Sequence, residues 1–243
     1  MSRLGRTAMI GTLLAGLIAV SAASAQAPGS RPNPAQRPPA ATADPVQTNP
    51  FAALFGKTGA TTALKPEQRA LIDRISNYLS SVQNLSGKFV QVGPDGKRTE
   101  GQFVIQKPGK VRFEYNPPAM IEIVADGQSV IVRDHNLSTQ DVYPLSQTPL
   151  RFLLADHVDL LKDTNLVAVY ADNVFITAVV EEKNPIIGTS RLMIMFSAAD
   201  MQLKQWTVTD PQGFDTTVAV YNLDTTKRAD PNTFRIDYTR YHN

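Results

Sequence analysis

Short strand-like segments separated by turn signals occupy most of this chain, and they restrict the folds that it can adopt. Between residues 88 and 143 the turn signals are Pro94-Asp-Gly96, Pro108-Gly109, Pro117-Pro118, Asp126-Gly127 and His135-Asn136. Proline and glycine in these combinations mark tight turns. A parallel pair of strands needs a crossover of a dozen residues or more, so neighbouring strands must be antiparallel.

The strand pattern continues to residue 224. The predicted strands are 88–92, 101–106, 111–115, 120–125, 129–134, 139–143, 166–171, 174–182, 191–197, 203–209 and 216–224. A single sheet of about ten or eleven strands must curl. We therefore expect a mainly β fold, with one large curved antiparallel sheet that forms an unclosed β-barrel.

Few segments are available as helices. Pro66 and Glu67 open one helix, which should end by Ser86-Gly87, because proline and an acidic residue are favoured in a first turn. Shorter helices are predicted at 149–154 and 158–162. The apolar residues of the first helix recur every three or four positions and form one stripe for packing on the sheet, made of Leu71, Ile75, Tyr78, Leu79 and Val82.

The N-terminus has the pattern of a secretory signal. Arg3 and Arg6 precede an uncharged, mostly apolar run over 8–20, and small residues follow at 23–25. This run is too short to span a bilayer as a helix. We expect residues 1–25 to be a cleaved signal peptide, although cleavage after Ala27 also fits and a retained anchor is the alternative. Residues 26–63 are then a Pro- and Ala-rich disordered linker, and 64–243 form the folded domain.

Charge and cysteine content exclude several classes of protein. The chain has no cysteine, so it has no disulfide, no thiolate metal site and no lipidated cysteine. Without Arg3 and Arg6, the remaining 22 basic residues balance 22 acidic ones. A nucleic-acid binder or an electrostatic membrane binder needs a concentrated basic face, so neither class is expected.

Catalytic motifs are missing as well. The chain has three histidines, none in a zinc-protease spacing, and no Gly-x-Ser-x-Gly elbow. Asp156-His157-Val-Asp159 most resembles a metal or acid-base cluster, but such residues in a polar loop are usually solvated. Glu181-Glu182 is interpreted as the solvated end of a strand. We expect no enzyme activity, no cofactor and no metal.

Alternation along the strands assigns side chains to faces. Phe103, Ile105 and Lys107 share one face, whereas Arg112 and Glu114 belong to the other, which is expected to be wet. A sheet this wide has few helices to cover its apolar face, which favours an unfilled apolar concavity. An ordinary packed core would show the same alternation, so the pattern alone leaves both possibilities open.

Three stretches in a fixed order resemble a known family. They are Gly101-Gln-Phe-Val-Ile-Gln-Lys-Pro-Gly-Lys-Val-Arg-Phe-Glu-Tyr-Asn-Pro-Pro118, Ala125-Asp-Gly127, and Tyr143-Pro-Leu-Ser-Gln-Thr-Pro-Leu-Arg-Phe-Leu-Leu154. Together they are similar to the periplasmic outer-membrane lipoprotein carrier family, the LolA type, over roughly residues 66–224. The resemblance implies an unclosed barrel with a helical lid, whose cavity holds acyl chains.

The resemblance also implies roles for particular residues. The expected cavity lining is Phe89, Phe103, Ile105, Val111, Phe113, Tyr115, Ile121, Ile123, Val130 and Val132. The expected lid residues are Leu150, Phe152, Leu153 and Leu154. Family members commonly carry an arginine before the proline, where it hydrogen-bonds lid carbonyls. Lys107 occupies that position here, and its point charge is expected to form a weaker or differently placed latch; a water-facing lysine at a strand end is the alternative.

The implied function is that of a carrier in the Gram-negative periplasm. Its expected partners are acylated lipoproteins as cargo, an inner-membrane ABC-type lipoprotein-releasing complex and an outer-membrane lipoprotein acceptor, and it is expected to be a monomer. Two alternatives remain. An envelope module that senses lipids or lipoproteins could share the fold, and a periplasmic hydrolase would need a polar constellation that the sequence does not supply.

Overall fold

The computed structural model describes residues 64–148, 150–184 and 188–238. The predicted signal peptide and linker lie outside these ranges. One sheet of 11 strands organises the described residues. The strands are β1 (Asn84–Val92), β2 (Arg98–Gln106), β3 (Lys110–Tyr115), β4 (Ile121–Asp126), β5 (Ser129–Asp134), β6 (Thr139–Pro144), β7 (Asn165–Ala171), β8 (Phe175–Asn184), β9 (Gly188–Ser197), β10 (Leu203–Thr209) and β11 (Asp215–Asp224).

The order of the strands explains why the barrel is unclosed. The sheet runs β6-β5-β4-β3-β2-β1-β11-β10-β9-β8-β7, and each neighbouring pair is antiparallel. The first and last strands of the chain's sheet meet in the middle, where β1 pairs with β11. β6 and β7 therefore form the two edges. The predicted single curved antiparallel sheet is confirmed.

In the described ranges, three α-helices accompany the sheet: α1 (Pro66–Ser81), α2 (Leu150–Leu154) and α3 (Leu160–Asp163). The first turn of α1 contains Pro66 and Glu67 as expected. Its buried residues are Ile72, Ile75 and Leu79. The first position of the predicted stripe was therefore wrong, because it was assigned to Leu71 and not to Ile72. Leu71 lies at the edge of the packed face, whereas Ile72 is at its centre and 0% exposed.

The strand β1 begins at Asn84, four residues before its predicted start. The helix α1 ends at Ser81, before the limit predicted at Ser86-Gly87, and Gly87 lies within β1. A Cβ there would come within 2.9 Å of both the Tyr221 carbonyl and a Leu223 methyl group. Glycine at this position therefore allows β11 to approach β1 closely, at the point where the β1–β11 register shifts.

The outer face of β4 and β5 differs from the predicted wet surface. Val124 and Ile131, on the face opposite α1 and α2, are buried together with Ile236. A 3-10 turn at Pro231–Phe234 precedes Ile236, and this C-terminal segment covers the outer face. The prediction failed because the covering segment is irregular, and alternation within the strands cannot reveal it.

Charged residues on this outer face form a network under the same segment. Glu122 accepts from Arg133 at 2.6 Å and also pairs with Arg112. Arg112 donates to the Thr233 carbonyl at 3.1 Å, and Arg133 donates to the Asp237 carbonyl at 3.3 Å. Because the ions are paired and hydrogen-bonded, the cost of their burial is offset, and the arginines fix the C-terminal segment through its backbone.

Candidate functional site

An apolar cavity lies between the sheet, the end of α1 and the short helix α2. Its volume is about 30 Å³, which has room for no more than one or two waters. It is lined by Tyr78, Leu79, Val82, Leu85, Ile105, Lys107, Val111, Phe113, Leu153, Leu154, Leu203 and Trp206. Pockets for lipid-sized ligands measure about 300–1,000 Å³, so the interior is closed in this structure and must expand about tenfold to hold one.

Stacked and edge-on aromatic rings form the floor of the cavity. The Phe113 ring lies 5.5 Å from Phe103 in a stacked arrangement, and 5.3 Å from Phe89 and 6.3 Å from Trp206 edge-on. Each such pair contributes about 0.5–1.5 kcal/mol beyond the burial of its area. The sheet side of the cavity is therefore a closely packed aromatic wall.

The ten predicted lining residues all lie on the inner face, defined here as the face toward α1 and α2, and all are buried. Strand registers place them there, since Phe103 faces Phe113 and Phe113 faces Ile123 across neighbouring strands. Three of the ten, Ile105, Val111 and Phe113, line the cavity itself. The remaining seven pack around it: Phe89, Phe103, Tyr115, Ile121, Ile123, Val130 and Val132. That any of them binds cargo stays a prediction.

Sequence reasoning missed several residues that line the cavity. Tyr78 and Leu79 come from α1, and Val82 directly follows it. This helix was predicted to pack on the sheet but was not assigned to a site. Leu203 and Trp206 come from β10. The signal for Trp206 was its type, because it is the single tryptophan and large aromatic side chains are usually buried.

The predicted lid residues fall on α2. Leu153 and Leu154 are buried and line the cavity. Phe152 points to a second hollow of about 10 Å³, over Val180, Leu192 and Val208 of the sheet. Leu150 begins the helix, but its side chain lies outside the described part. The apolar side chains of α2 thus fill space on the inner face that would otherwise be empty.

Polar contacts hold α2 at both ends. Near its start, Arg151 donates to both Glu182 oxygens, at 2.8 and 3.0 Å, across to β8. At its end, the Leu154 carbonyl accepts from the Gly109 N–H at 2.8 Å. The helix is therefore attached to the sheet at two points. We name it the α2 lid (Leu150–Leu154).

The Arg151–Glu182 pair corrects the interpretation of the acidic dipeptide. Glu182 was expected to be a solvated strand end, but its carboxylate forms a bidentate ion pair with Arg151. Glu181 pairs with Arg191 at 2.7 Å on the opposite face of the sheet. The pairing joins residues 31 positions apart in the chain, so no local pattern could reveal it. Asp159, from the other polar cluster, caps α3 by accepting from the N–H groups of Leu161 and Lys162.

Lys107 lies at the inner side of the turn between β2 and β3. Its side chain is turned inward, with 9% of the residue exposed, and its ammonium donates to the Leu79 carbonyl in the last turn of α1. Burial lowers the pKa of Lys107 to about 8, although the charge of Asp156 acts in the opposite direction. The cation contacts a carbonyl of α1 rather than of α2, so its role as a latch on the lid stays a prediction.

The helix α1 is attached more extensively than the α2 lid. Its Gln68 amide donates to the Val169 carbonyl of β7, and its Tyr78 hydroxyl accepts from the Leu203 N–H. Ser80 and Ser76 accept from the backbone N–H groups of residues 158 and 160 beside α3. Among the described residues, α2 has five residues and is joined to the sheet at two points, through Arg151 and Leu154, so it has fewer attachments to the sheet and its neighbours than α1.

Neither a metal centre nor a membrane span is found in the described ranges. Among those residues, no group of three or more histidine, cysteine, aspartate or glutamate side chains is arranged to hold a metal ion. Within the same ranges, every helix is too short or too polar to cross a bilayer.

The fold and the site together define an unclosed β-barrel protein whose apolar interior is covered by short helices. Residues 80–237 match the family model described as outer membrane lipoprotein carrier protein LolA. Since this match covers more than half of the chain, the protein belongs to that family. The resemblance seen in the sequence is confirmed.

Individual relatives are more distant. An uncharacterized protein of Rickettsia prowazekii is 30% identical over 92 residues, which are 38% of this chain and 43% of that one. An outer-membrane lipoprotein carrier protein of Methylobacillus flagellatus is 26% identical over 139 residues, 54% of this chain and 68% of that one. The crystal structure of a LolA superfamily protein from Nitrosomonas europaea matches 69% of this chain and 98% of its own at 11% identity, with a TM-score of 0.39.

The chain spans 43% of the length of the first relative and 68% of the second.

Proposed function

We propose that this protein is a periplasmic carrier that shelters the acyl chains of lipoproteins between the sheet and the α2 lid. The observation that carries the proposal is the closed apolar cavity of about 30 Å³ beneath a five-residue helix held by two polar attachments. Family membership supports the choice of lipoproteins as cargo. The protein would be exported by residues 1–25, with 26–63 as a linker to the carrier domain.

The free energy of transfer explains why such a carrier is needed. Each methylene group removed from water is worth about 0.8 kcal/mol, so one sixteen-carbon chain represents on the order of 12 kcal/mol. A lipoprotein would not cross an aqueous compartment unaided at that cost. In the proposed route, an inner-membrane ABC-type releasing complex supplies the cargo, and an outer-membrane acceptor receives it.

Release of cargo requires that the empty carrier has a stable closed conformation. In the closed state Leu153 and Leu154 occupy the inner face themselves, and each buried leucine is worth about 1.5–3 kcal/mol. When cargo leaves, the α2 lid returns to this position, and its burial offsets part of the loss. Cargo and lid thus compete for the same surface, and their balance sets the affinity.

Extraction from membranes tests the proposal. The mature protein would be incubated with inner-membrane vesicles that contain a lipoprotein and its releasing complex, and the soluble fraction would be analysed. We expect the acylated lipoprotein in a one-to-one soluble complex, whereas a control whose acylated cysteine is replaced by serine should stay out of it. Equal recovery of both forms would contradict the proposal.

Addition of outer-membrane vesicles to the soluble fraction extends this experiment and separates the alternatives. An envelope sensor would bind the acylated protein but would not pass it to outer-membrane vesicles. A hydrolase would release free fatty acid, which mass spectrometry of the lipid fraction detects. A carrier transfers the intact lipoprotein.

A further inference from the structure

The buried cation at the cavity has hydrogen-bonding capacity that the closed structure does not use. A protonated lysine has three N–H donors, and the Leu79 carbonyl accepts one of them. Within the described ranges, neither a second acceptor nor a carboxylate lies in contact with the Lys107 ammonium. The nearest charge that acts on it is that of Asp156, an exposed residue beyond the lid.

The surroundings of this cation are apolar. Of the side chains that line the cavity, Lys107 is the single charged one, and the Tyr78 hydroxyl is already engaged with the Leu203 N–H. An ammonium in such a place is costly unless its N–H groups find oxygen acceptors. The turn that carries Lys107 belongs to the sheet, so the cation stays at the cavity when the α2 lid moves.

Movement of the lid opens space beside the ammonium. Leu153 and Leu154 line the same cavity as Lys107, and an aliphatic chain that replaces them would come next to the cation. An aliphatic chain without polar atoms would leave the two N–H groups unsatisfied. A chain that ends in a carbonyl or carboxylate oxygen would satisfy one or both.

We propose that Lys107 binds the oxygen at the head of an acyl chain, so that this cavity selects fatty acyl groups over hydrocarbon of equal length. The ligand class is an aliphatic chain that ends in a carboxylate or an ester carbonyl. A carboxylate binds most tightly, because its hydrogen bond with an ammonium is charge-assisted on both sides. This inference rests on the proposed function, since it assumes that acyl chains enter beneath the α2 lid.

A matched set of twelve-carbon ligands tests the inference: laurate, methyl laurate and dodecane. Each would compete with 1,6-diphenylhexatriene, an apolar fluorophore without oxygen, for the mature protein at pH 7 and below micelle-forming concentrations. We expect laurate to bind roughly ten- to a hundredfold more tightly than dodecane, with methyl laurate between them.

Two variants isolate the contribution of the head group. Lys107→Met removes the charge but keeps an unbranched side chain of similar length, and it should reduce the laurate-to-dodecane affinity ratio at least tenfold, because the carboxylate loses its partner. Lys107→Arg should preserve the preference for laurate. The ratio is the informative quantity, because any change in lid opening affects both ligands alike.

The outcomes are distinguishable. Equal binding of all three ligands to the unaltered protein, or a preference that survives in Lys107→Met, would overturn the inference and leave the carrier function standing. Failure of every ligand and of the fluorophore to bind would overturn the proposed function, and this inference with it.

Discussion

Raising the pH should stabilise this protein through Lys107. The pKa of this lysine is about 8 in the folded protein, compared with an ordinary value of 10.5. Between these two values the unfolded chain binds a proton that the folded protein does not, so the free energy of unfolding increases with pH. Below about pH 8 both states are protonated, and the full penalty of about 3 kcal/mol is present.

The size of the effect follows from these two values. Between pH 7 and pH 9.5 the contribution of Lys107 should become more favourable by about 2 kcal/mol. Other groups also titrate in this range, so the measurement must be a difference between variants. Lys107→Met removes the titrating group, and Lys107→Arg keeps a cation at both pH values.

Urea unfolding, followed by the emission of Trp206, provides the assay. The single tryptophan lines the cavity beside Lys107 and is 2% exposed. The stability of the unaltered protein relative to Lys107→Met should rise by about 2 kcal/mol from pH 7 to pH 9.5, whereas that of Lys107→Arg relative to Lys107→Met should stay constant. A change below about 0.5 kcal/mol for the unaltered protein would show that its ammonium is hydrated, and the burial of Lys107 would be refuted.

Three further substitutions test other parts of the structure. Glu182→Gln removes one charge of the Arg151–Glu182 pair that holds the α2 lid, so acrylamide should quench the tryptophan more strongly while stability falls by less than about 1 kcal/mol. The neighbouring control Glu181→Gln should leave quenching unchanged. Equal quenching in both variants would contradict a role of this pair in holding the lid. Gly101→Ala would place a Cβ 2.0 Å from the Glu114 carbonyl oxygen, and we expect a loss of about 3 kcal/mol in urea unfolding, so a loss below about 1 kcal/mol would disprove the close approach. Arg133→Met breaks a buried ion pair and a bond to the C-terminal segment, so it should cost about 3 kcal/mol and speed hydrogen exchange over 231–238; unchanged exchange there would show that the segment is held by other contacts.

The sheet could be predicted from the sequence because its signals are local. Short connections such as Pro108-Gly109 and Asp126-Gly127 require antiparallel neighbours, and alternation assigned Phe103 and Phe113 to one face. The registers place these two side chains directly opposite each other. Consecutive strands joined by hairpins are neighbours in the sheet. The order departs from this rule twice, because β1 pairs with β11 and because the consecutive strands β6 and β7 lie at opposite edges.

The parts that were missed depend on contacts between distant residues. Arg151 and Glu182 are each unremarkable in sequence, and their pairing appears only when α2 lies across β8. Gly87 was left outside the predicted strand 88–92, because glycine is found both after helices and where strands approach closely. The burial of Ile131 on the outer face depends on an irregular C-terminal segment, which has no periodicity to detect.

The cavity was the least predictable feature. Alternation of apolar residues is the same in a filled core and in a lined cavity, so the sequence could not say which of the ten inner-face residues border empty space. That distinction depends on how Leu153 and Leu154 fit against Val111 and Trp206. A side-chain volume of a few methyl groups decides whether this space is filled or empty.

Photocrosslinking from an acyl chain tests the central claim most directly. A lipoprotein whose acyl chain carries a diazirine would be loaded onto the mature protein, irradiated and digested, and the labelled peptides identified by mass spectrometry. We expect labels on the peptides that contain Ile105 to Phe113, Leu153 with Leu154, and Trp206, which surround the cavity. Labels confined to the outer face, for example on residues 231–238, would contradict a cavity that opens beneath the α2 lid to receive acyl chains.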